Sequence, residues 1–415
     1  MADRAHLNDT IDVEDDEMIL EDEVTEEYDL GDMPEEDDDD MDVGDEDEAD
    51  ITAEVVDDAR LVFRGHTGPV YAMAIHPLDK SIVLSGGGDD VGLIWSMDDL
   101  SIKHVLKGHE DSVVAVGFSF DGTLAATGGY DGVVKIWVVQ TGALLHTLDG
   151  PSQEIEWIKW HAKGNVVLAG SGDGTAWMWL AATGECMHVF AGHEDSITCG
   201  SFTGSGKMIV TGSADATVRL WNPKTGECVH VFRGQDFHEG PICDVVCHPK
   251  QPVMISCAQD GTARLLQIQA KRQLAILAHG TNEATRGTVA DDEGEGLVNS
   301  VECAGFCNTL NWCATGDLGG ELRIWDLATY QCRHVCRHDS VGVIKLQWHP
   351  TEPFVYTVTT DGMIHVWDAR NGQLQKRLSG HQEMILEMEF VVRNGVPLDV
   401  VTASEDETVR IFSLN

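Results

Sequence analysis

From residue 60 onward, apolar and polar positions alternate in short runs, the two-residue period of half-buried strands, with no helical stripe. Turn residues such as Asp121-Gly122 and Asp131-Gly132 separate the runs, and four runs make a unit that recurs. Each unit carries one large apolar landmark: Trp95, Trp137, Trp179, Trp221, Leu266, Trp325, Trp367 and Phe412, spaced by 42, 42, 42, 45, 59, 42 and 45. Six residues before the landmark stands Asp89, Asp131, Asp173, Asp215, Asp260, Asp361 or Asp406, and in the sixth unit it slips to Asp317. Ten residues before it stands Ser85, Thr127, Thr211, Ser256, Thr315, Thr357 or Thr402, with Ala169 in the third unit. A leading histidine occurs as His66, His109, His193, His338 and His381. His238 is displaced by a small insertion, and His279 is a weaker candidate.

This order of Gly-His, Ser/Thr, Asp and Trp resembles the WD-repeat family over residues 60–415. The resemblance implies an all-β, eight-bladed propeller and a buried chain running His to Ser/Thr, Asp and Trp in a blade. Complete sets are His66/Ser85/Asp89/Trp95, His109/Thr127/Asp131/Trp137, His193/Thr211/Asp215/Trp221 and His338/Thr357/Asp361/Trp367. His, Ser and Asp together also suggest a hydrolase triad. Repetition argues against it: equal copies describe scaffolding, whereas catalysis needs one exceptional copy. No phosphate loop or metal-ligand cluster stands out, so an enzyme, a metal and a cofactor are not expected.

The last unit stops at Ile411-Phe412-Ser413-Leu414-Asn415, with no room for a fourth strand. An orphan run, Arg60-Leu61-Val62-Phe63-Arg64, precedes His66 as Val105-Leu106-Lys107-Gly108 precedes His109. Residues 59–64 are therefore expected to complete the eighth blade and close the ring. The sixth unit is lengthened by the acidic, Gly-rich segment 280–296, which reads as a mobile surface loop.

Charge changes the picture. The formal net charge is −44; residues 1–58 hold 29 acids and one base, Arg4, leaving 42 acids and 26 bases beyond. Such a segment cannot bury enough apolar surface to order itself, so 1–58 reads as a disordered acidic arm and 59–415 as the propeller. The arm serves as a solubilising tail or, in a sharper reading, as an electrostatic lure or a mimic competing for a basic site. Nucleic acid is a poor partner for so acidic a chain, and a basic protein segment a good one. No apolar run reaches the length of a membrane span. The eleven cysteines are scattered through strand-like runs. Three C-x3-C pairs, Cys243/Cys247, Cys303/Cys307 and Cys332/Cys336, fit buried thiols better than zinc. A monomer in the cytoplasm, with the nucleus open to it, is expected.

In WD propellers the loop after Gly-His and the first positions of the innermost strand lie on one face. Here that frame collects an acidic and aromatic set: Tyr71, Glu110, Asp111, Tyr130, Glu154, Glu156, Trp157, Glu194, Asp195, Glu239, Glu302, Glu383 and Glu405. Carboxylates would take Lys or Arg heads and aromatics their stems. The third unit departs most from the pattern, with Glu156-Trp157-Ile158-Lys159-Trp160-His161 and Ala169–Trp179 adding Trp157 and Trp177. This stretch, the acidic arm and the loop before the sixth repeat resemble the angio-associated migratory cell protein family across nearly the whole chain. That family's yeast relative is a dedicated chaperone for the basic N-terminal segment of a newly made large-subunit ribosomal protein. The resemblance therefore implies an escort role in ribosome assembly. Two alternatives stand beside it. Trp367-Asp368-Ala369-Arg370 resembles the WDxR signature of cullin-type ubiquitin-ligase substrate receptors, and a generic signalling scaffold linked to cell migration fits the same fold.

Overall fold

The computed structural model describes residues 57–234, 237–279 and 300–414. Residues 1–56, and with them almost all of the acidic arm, lie outside the described residues, as does the loop at 280–296. Among the described residues, thirty-two strands form eight four-stranded antiparallel sheets, the expected blades. Among the described residues, no helix is long and apolar enough to cross a membrane.

The inner strands are Val70–Ile75, Val113–Phe118, Ile155–Trp160, Cys199–Phe202, Ile242–Cys247, Val301–Phe306, Val343–Trp348 and Ile385–Arg393, heading blades one to eight. Each packs beside the inner strands of both neighbouring blades, and the eighth returns to the first. Second strands are covered from both sides and read as continuous buried runs; every residue of Leu124–Gly129 is buried. Outer strands alternate, as in Ile102–Lys107, where only Leu106 is fully buried. The landmark residues Trp95, Trp179 and Trp221 are buried almost completely, each worth roughly 3 kcal/mol of apolar transfer.

Contact between blades depends on repeated small residues. A side-chain carbon on Gly86, Gly128, Gly212 or Gly316 would lie 2.6–2.7 Å from Val113, Ile155, Ile242 or Val343 of the next blade. The β-branched residue opening each of these four inner strands thus seats directly on the preceding blade's backbone. A second device joins the outer strands. His104, His146, His188 and His334 donate Nε2–H to the carbonyls of Gln140, Ala182, Lys224 and Arg370 in the next blade, at 3.1–3.2 Å. Their rings rest on Gly142, Gly184, Gly226 and Gly372, whose φ near +70° also excludes a side chain.

Neighbouring inner strands share no backbone ladder, so side chains stitch them. Thr198 Oγ1 donates to the carbonyl of Ile242 (2.5 Å), Gln347 Nε2 to Met388 (2.7 Å) and Trp348 Nε1 to Gly305 (3.0 Å). Ile75 N–H donates to Glu389 at 2.9 Å, joining blade one to blade eight, and Lys345 pairs with Glu387 at 2.5 Å. Burial lifts the carboxyl of Glu389 to about 7 and that of Asp244 to about 6.

Closure follows the expected route. Leu61–Phe63 pairs antiparallel with Val409–Ile411, supplying the fourth strand of blade eight. The Phe63 ring stacks on Trp95 of blade one at 4.0 Å. Asp57 and Asp58, which composition assigns to the arm, are engaged here. Asp57 pairs with the buried Arg410, and Asp58 accepts the Ser379 N–H at 2.9 Å.

Deletion of residues 1–50 should leave the thermal melt unchanged. Deletion of 1–65 removes both the strand and the Asp57 and Asp58 contacts, and should lower the midpoint by many degrees; circular dichroism melts of the two truncations compare them directly. The raised carboxyls give a second expectation. A group whose folded value exceeds its unfolded one stabilises fully below the unfolded value and loses that stabilisation as pH rises through the folded value. Glu389→Gln keeps an oxygen acceptor for Ile75. It should therefore gain about 3 kcal/mol in denaturant titrations at pH 8, and nothing at pH 4.

Candidate functional face

The side chains that shape one end of the ring are held by the repeated polar chain. In blade two, Trp137 Nε1–H donates to Thr127 Oγ1 at 2.9 Å, the Thr127 hydroxyl meets His109 Nε2 at 2.7 Å, and His109 Nδ1 meets Asp131 at 2.9 Å. Blades one and four repeat it with His66/Ser85/Asp89/Trp95 and His193/Thr211/Asp215/Trp221. Both ring nitrogens are committed, and burial holds the His109, His238 and His381 rings below the usual range. Against the desolvation of burial, the hydrogen bond from His238 holds Asp260 down to about 2.

The displaced His238 completes a set with Ser256 and Asp260, and His279 completes one with Thr315 and Asp317 although Asp317 is out of register. His381, Thr402 and Asp406 form a further set against Phe412. The fourth expected set forms only in part: His338 Nε2 meets the Thr357 hydroxyl at 2.9 Å, but Asp361 does not join the ring. His338 Nδ1 donates to the Gly320 carbonyl (2.9 Å), Trp367 Nε1 donates to His338 Nε2 (3.2 Å), and Asp361 instead accepts from Thr359. The hydroxyls of all these sets are fully buried, out of reach of any substrate. His279, Asp317 and Glu321 lie within 4.8 Å of one another. Both imidazole nitrogens are already bonded there and Glu321 is held by Arg323 and Arg337, which leaves no ligand set for a cation.

The same aspartates fix the loops that follow the histidines. Asp131, Asp215, Asp260 and Asp406 accept the backbone N–H of Glu110, Glu194, Glu239 and Gln382 at 3.1–3.2 Å. Blade three lacks the histidine and substitutes Ser152, whose N–H and hydroxyl both reach Asp173. With the backbone pinned, Glu110, Asp111, Glu194, Asp195, Glu239 and Glu383 are exposed at one end of the ring, and Glu154 and Glu405 are half-buried. We call this end the upper face.

Five of the expected residues converge. The rings of Tyr71 and Tyr130 lie 6.3 Å apart. Partial burial raises the Tyr130 phenol, as do the nearby Tyr71, Glu156, Glu154 and Asp111, so these groups share one field. Burial also raises the Glu156 carboxyl, despite the Ser196 hydroxyl donated to it at 3.2 Å. Tyr71, Glu156 and Glu302 line the mouth of a central channel of ≈ 770 Å³. Glu239, Glu383 and Glu405 stand on the loops of blades five and eight.

Trp157 is a correction. It is not a face residue: its ring is buried, and its Nε1–H donates to the Ile197 carbonyl at 2.8 Å. It fills the space between blades three and four against Gly170 and Gly200. A bulge between Ile155 and Trp157 breaks the two-residue alternation and turns the ring into the interface. Trp177 stacks on Trp179 and donates to Thr175. The channel is also lined by Asp244, Glu387 and Glu389, which the repeat pattern does not mark. Their only signal is an acid inside a strand at positions where most counterparts are apolar or small, with Lys345, Lys159 and Gln347 as exceptions.

Comparison with known proteins agrees with this geometry. The model of the WD domain, G-beta repeat, matches residues 59–96, 100–138, 142–179, 184–222, 226–266 and 330–368. The human angio-associated migratory cell protein is 32% identical over 356 residues, covering 86% of this chain and 80% of that protein. An uncharacterised WD repeat-containing protein of Schizosaccharomyces pombe is 36% identical over 368 residues, covering 86% and 87%. Among solved structures, Saccharomyces cerevisiae Sqt1 superposes with a TM-score of 0.78 at 20% identity, covering 86% of this chain and 99% of that one. Chaetomium thermophilum Sqt1 bound to the N-terminus of the ribosomal protein L10 gives 0.73 at 22%, covering 86% and 100%. By fold, repeat and sequence, the chain belongs to the angio-associated migratory cell protein family of WD-repeat propellers.

Proposed function

We propose that the upper face captures a basic, partly apolar segment of a newly made large-subunit ribosomal protein in the cytoplasm and escorts it toward ribosome assembly. The observation that carries this reading is the convergence of Tyr71, Tyr130, Asp111, Glu154 and Glu156 beside the channel mouth. Carboxylates there meet Lys or Arg heads, while the tyrosine pair offers a surface for the aliphatic stems and a partner for the cation. The surrounding field of Glu110, Glu194, Asp195 and Glu239 steers such a segment inward. A Sqt1 of the same fold, crystallised with the L10 N-terminus, supports the choice of partner class. The ligase alternative gains nothing specific: Arg370 is held by Asp368 in two hydrogen bonds of 2.9 and 2.8 Å, which order its own turn.

Binding of a synthetic Arg- and Lys-rich N-terminal peptide of a large-subunit ribosomal protein to the full chain tests this by calorimetry. Reversing Glu110, Asp111 and Glu156 to Lys should weaken it by about tenfold or more, and added salt should weaken the parent complex steadily. Unchanged affinity in the triple variant, or salt-independent binding, would remove the acidic face from the mechanism.

A further inference from the structure

The end of the ring opposite the acidic face carries a different charge. Turns between first and second strands and between third and fourth strands all emerge there, as the strand registers require. In blades three to five these turns hold Lys163, Lys207, Lys224, Lys250, Lys271 and Arg272, all exposed. Among the described residues, none of the six has a carboxylate within ion-pairing distance. Lys271 Nζ instead donates to the Val229 carbonyl of blade four at 3.2 Å. Glu185 and Glu227 border the six cations, and Asp121 of blade two reaches Asn165 in the turn that carries Lys163.

The turns abut. A side-chain carbon on Gly206 would lie 2.6 Å from His161 of blade three, and one on Gly204 would lie 2.5 Å from the Pro249 carbonyl of blade five. Lys163, Lys207 and Lys250 follow these meeting points closely in sequence, so they form one arc, with Lys224, Lys271 and Arg272 outside it. The corresponding turns of blades one and two are net acidic, with Asp79, Asp98, Asp99 and Asp121 against Lys80, so the basic patch has a boundary.

We infer that this lower patch of blades three to five binds the phosphate backbone of structured RNA. A net negative protein repels polyanions at long range, so a basic cluster on it is a local exception with a local use. The residues suit phosphates: five of six are lysines, point charges on flexible stems, with no exposed aromatic among them for stacking on bases. The chemistry therefore predicts contact with backbone and not with sequence. A membrane surface is disfavoured, because the exposed large apolar residues of the lower turns, Leu78, Phe120, Leu310, Tyr330 and Val396, lie in blades one, two, six and eight. Whole-chain composition argues against nucleic acid; the fold overrides that argument locally, by gathering these cations in one part of the lower end.

The test is fluorescence anisotropy of a labelled RNA hairpin with the full chain at about 50 mM salt, where phosphate contacts are strongest. A variant carrying Lys163→Glu, Lys207→Glu, Lys224→Glu and Lys250→Glu should bind at least tenfold more weakly. The slope of log affinity against log salt should be shallower by about 3 to 4, near 0.9 for each phosphate that is no longer neutralised. All four positions are exposed turn residues, and an unchanged thermal melt checks that the fold persists. The variant should still bind a basic peptide at the upper face, which separates this inference from the escort reading. No binding by the parent chain, or equal binding by the variant, overturns the inference. So does polyglutamate competing as well as RNA at equal charge, or capture by anionic vesicles, since the patch would then read negative charge of any kind.

Discussion

A four-stranded blade has two apolar faces and covers neither by itself. Everything else in this molecule answers that constraint. Each blade leans on two neighbours, so the stability of any one is a property of the ring. Within a blade the backbone ladder supplies cohesion. Between blades no ladder exists, and cohesion comes from close packing on glycine, from the large buried landmark side chains, and from side-chain donors aimed at a neighbour's backbone. The histidine chains serve the same end at shorter range, tying the loop before the inner strand to the turn beyond the second strand. They also leave those loops rigid, which is what a binding face on loops needs.

The repeat was legible because one physical requirement, a buried hydrogen-bonded Trp, recurs at one spacing. Where that spacing slipped, space proved more tolerant than sequence. Asp317 stands two residues after Thr315 instead of four and still reaches His279. The reverse also occurs: His338 and Asp361 stand in register, yet the Gly320 carbonyl takes the imidazole proton first. Register along a chain fixes which residues can meet, and local competition for a donor decides which do. The outer-strand histidines at 104, 146, 188 and 230 recur every 42 residues, as regularly as the tryptophans. Their role stayed hidden because the partner of each of the first three is a carbonyl in the next blade.

The acidic face was legible in part. Loop acids follow the Gly-His positions and needed only the propeller frame to be placed. Trp157 was misplaced because a single bulge inverts the side assignment of every residue after it. The channel acids and the lower lysines were invisible for a related reason. Composition sums charge over the whole chain, whereas a propeller distributes alternate turns to opposite ends. A protein with a net charge of −44 can thus present an acidic end and a basic patch.

The strand Leu61–Phe63 is translated first among the blade strands and used last. Its partner, Val409–Ile411, follows about 350 residues later. At roughly 5–20 residues per second, the ribosome holds the ring open for about twenty seconds to a minute. During that interval blade one shows Trp95 without the Phe63 ring in its final seat, and the growing array ends on an uncovered sheet. The arc closes only after Val409–Ile411 has left the exit tunnel, so the finished binding face exists only once synthesis has passed the eighth blade.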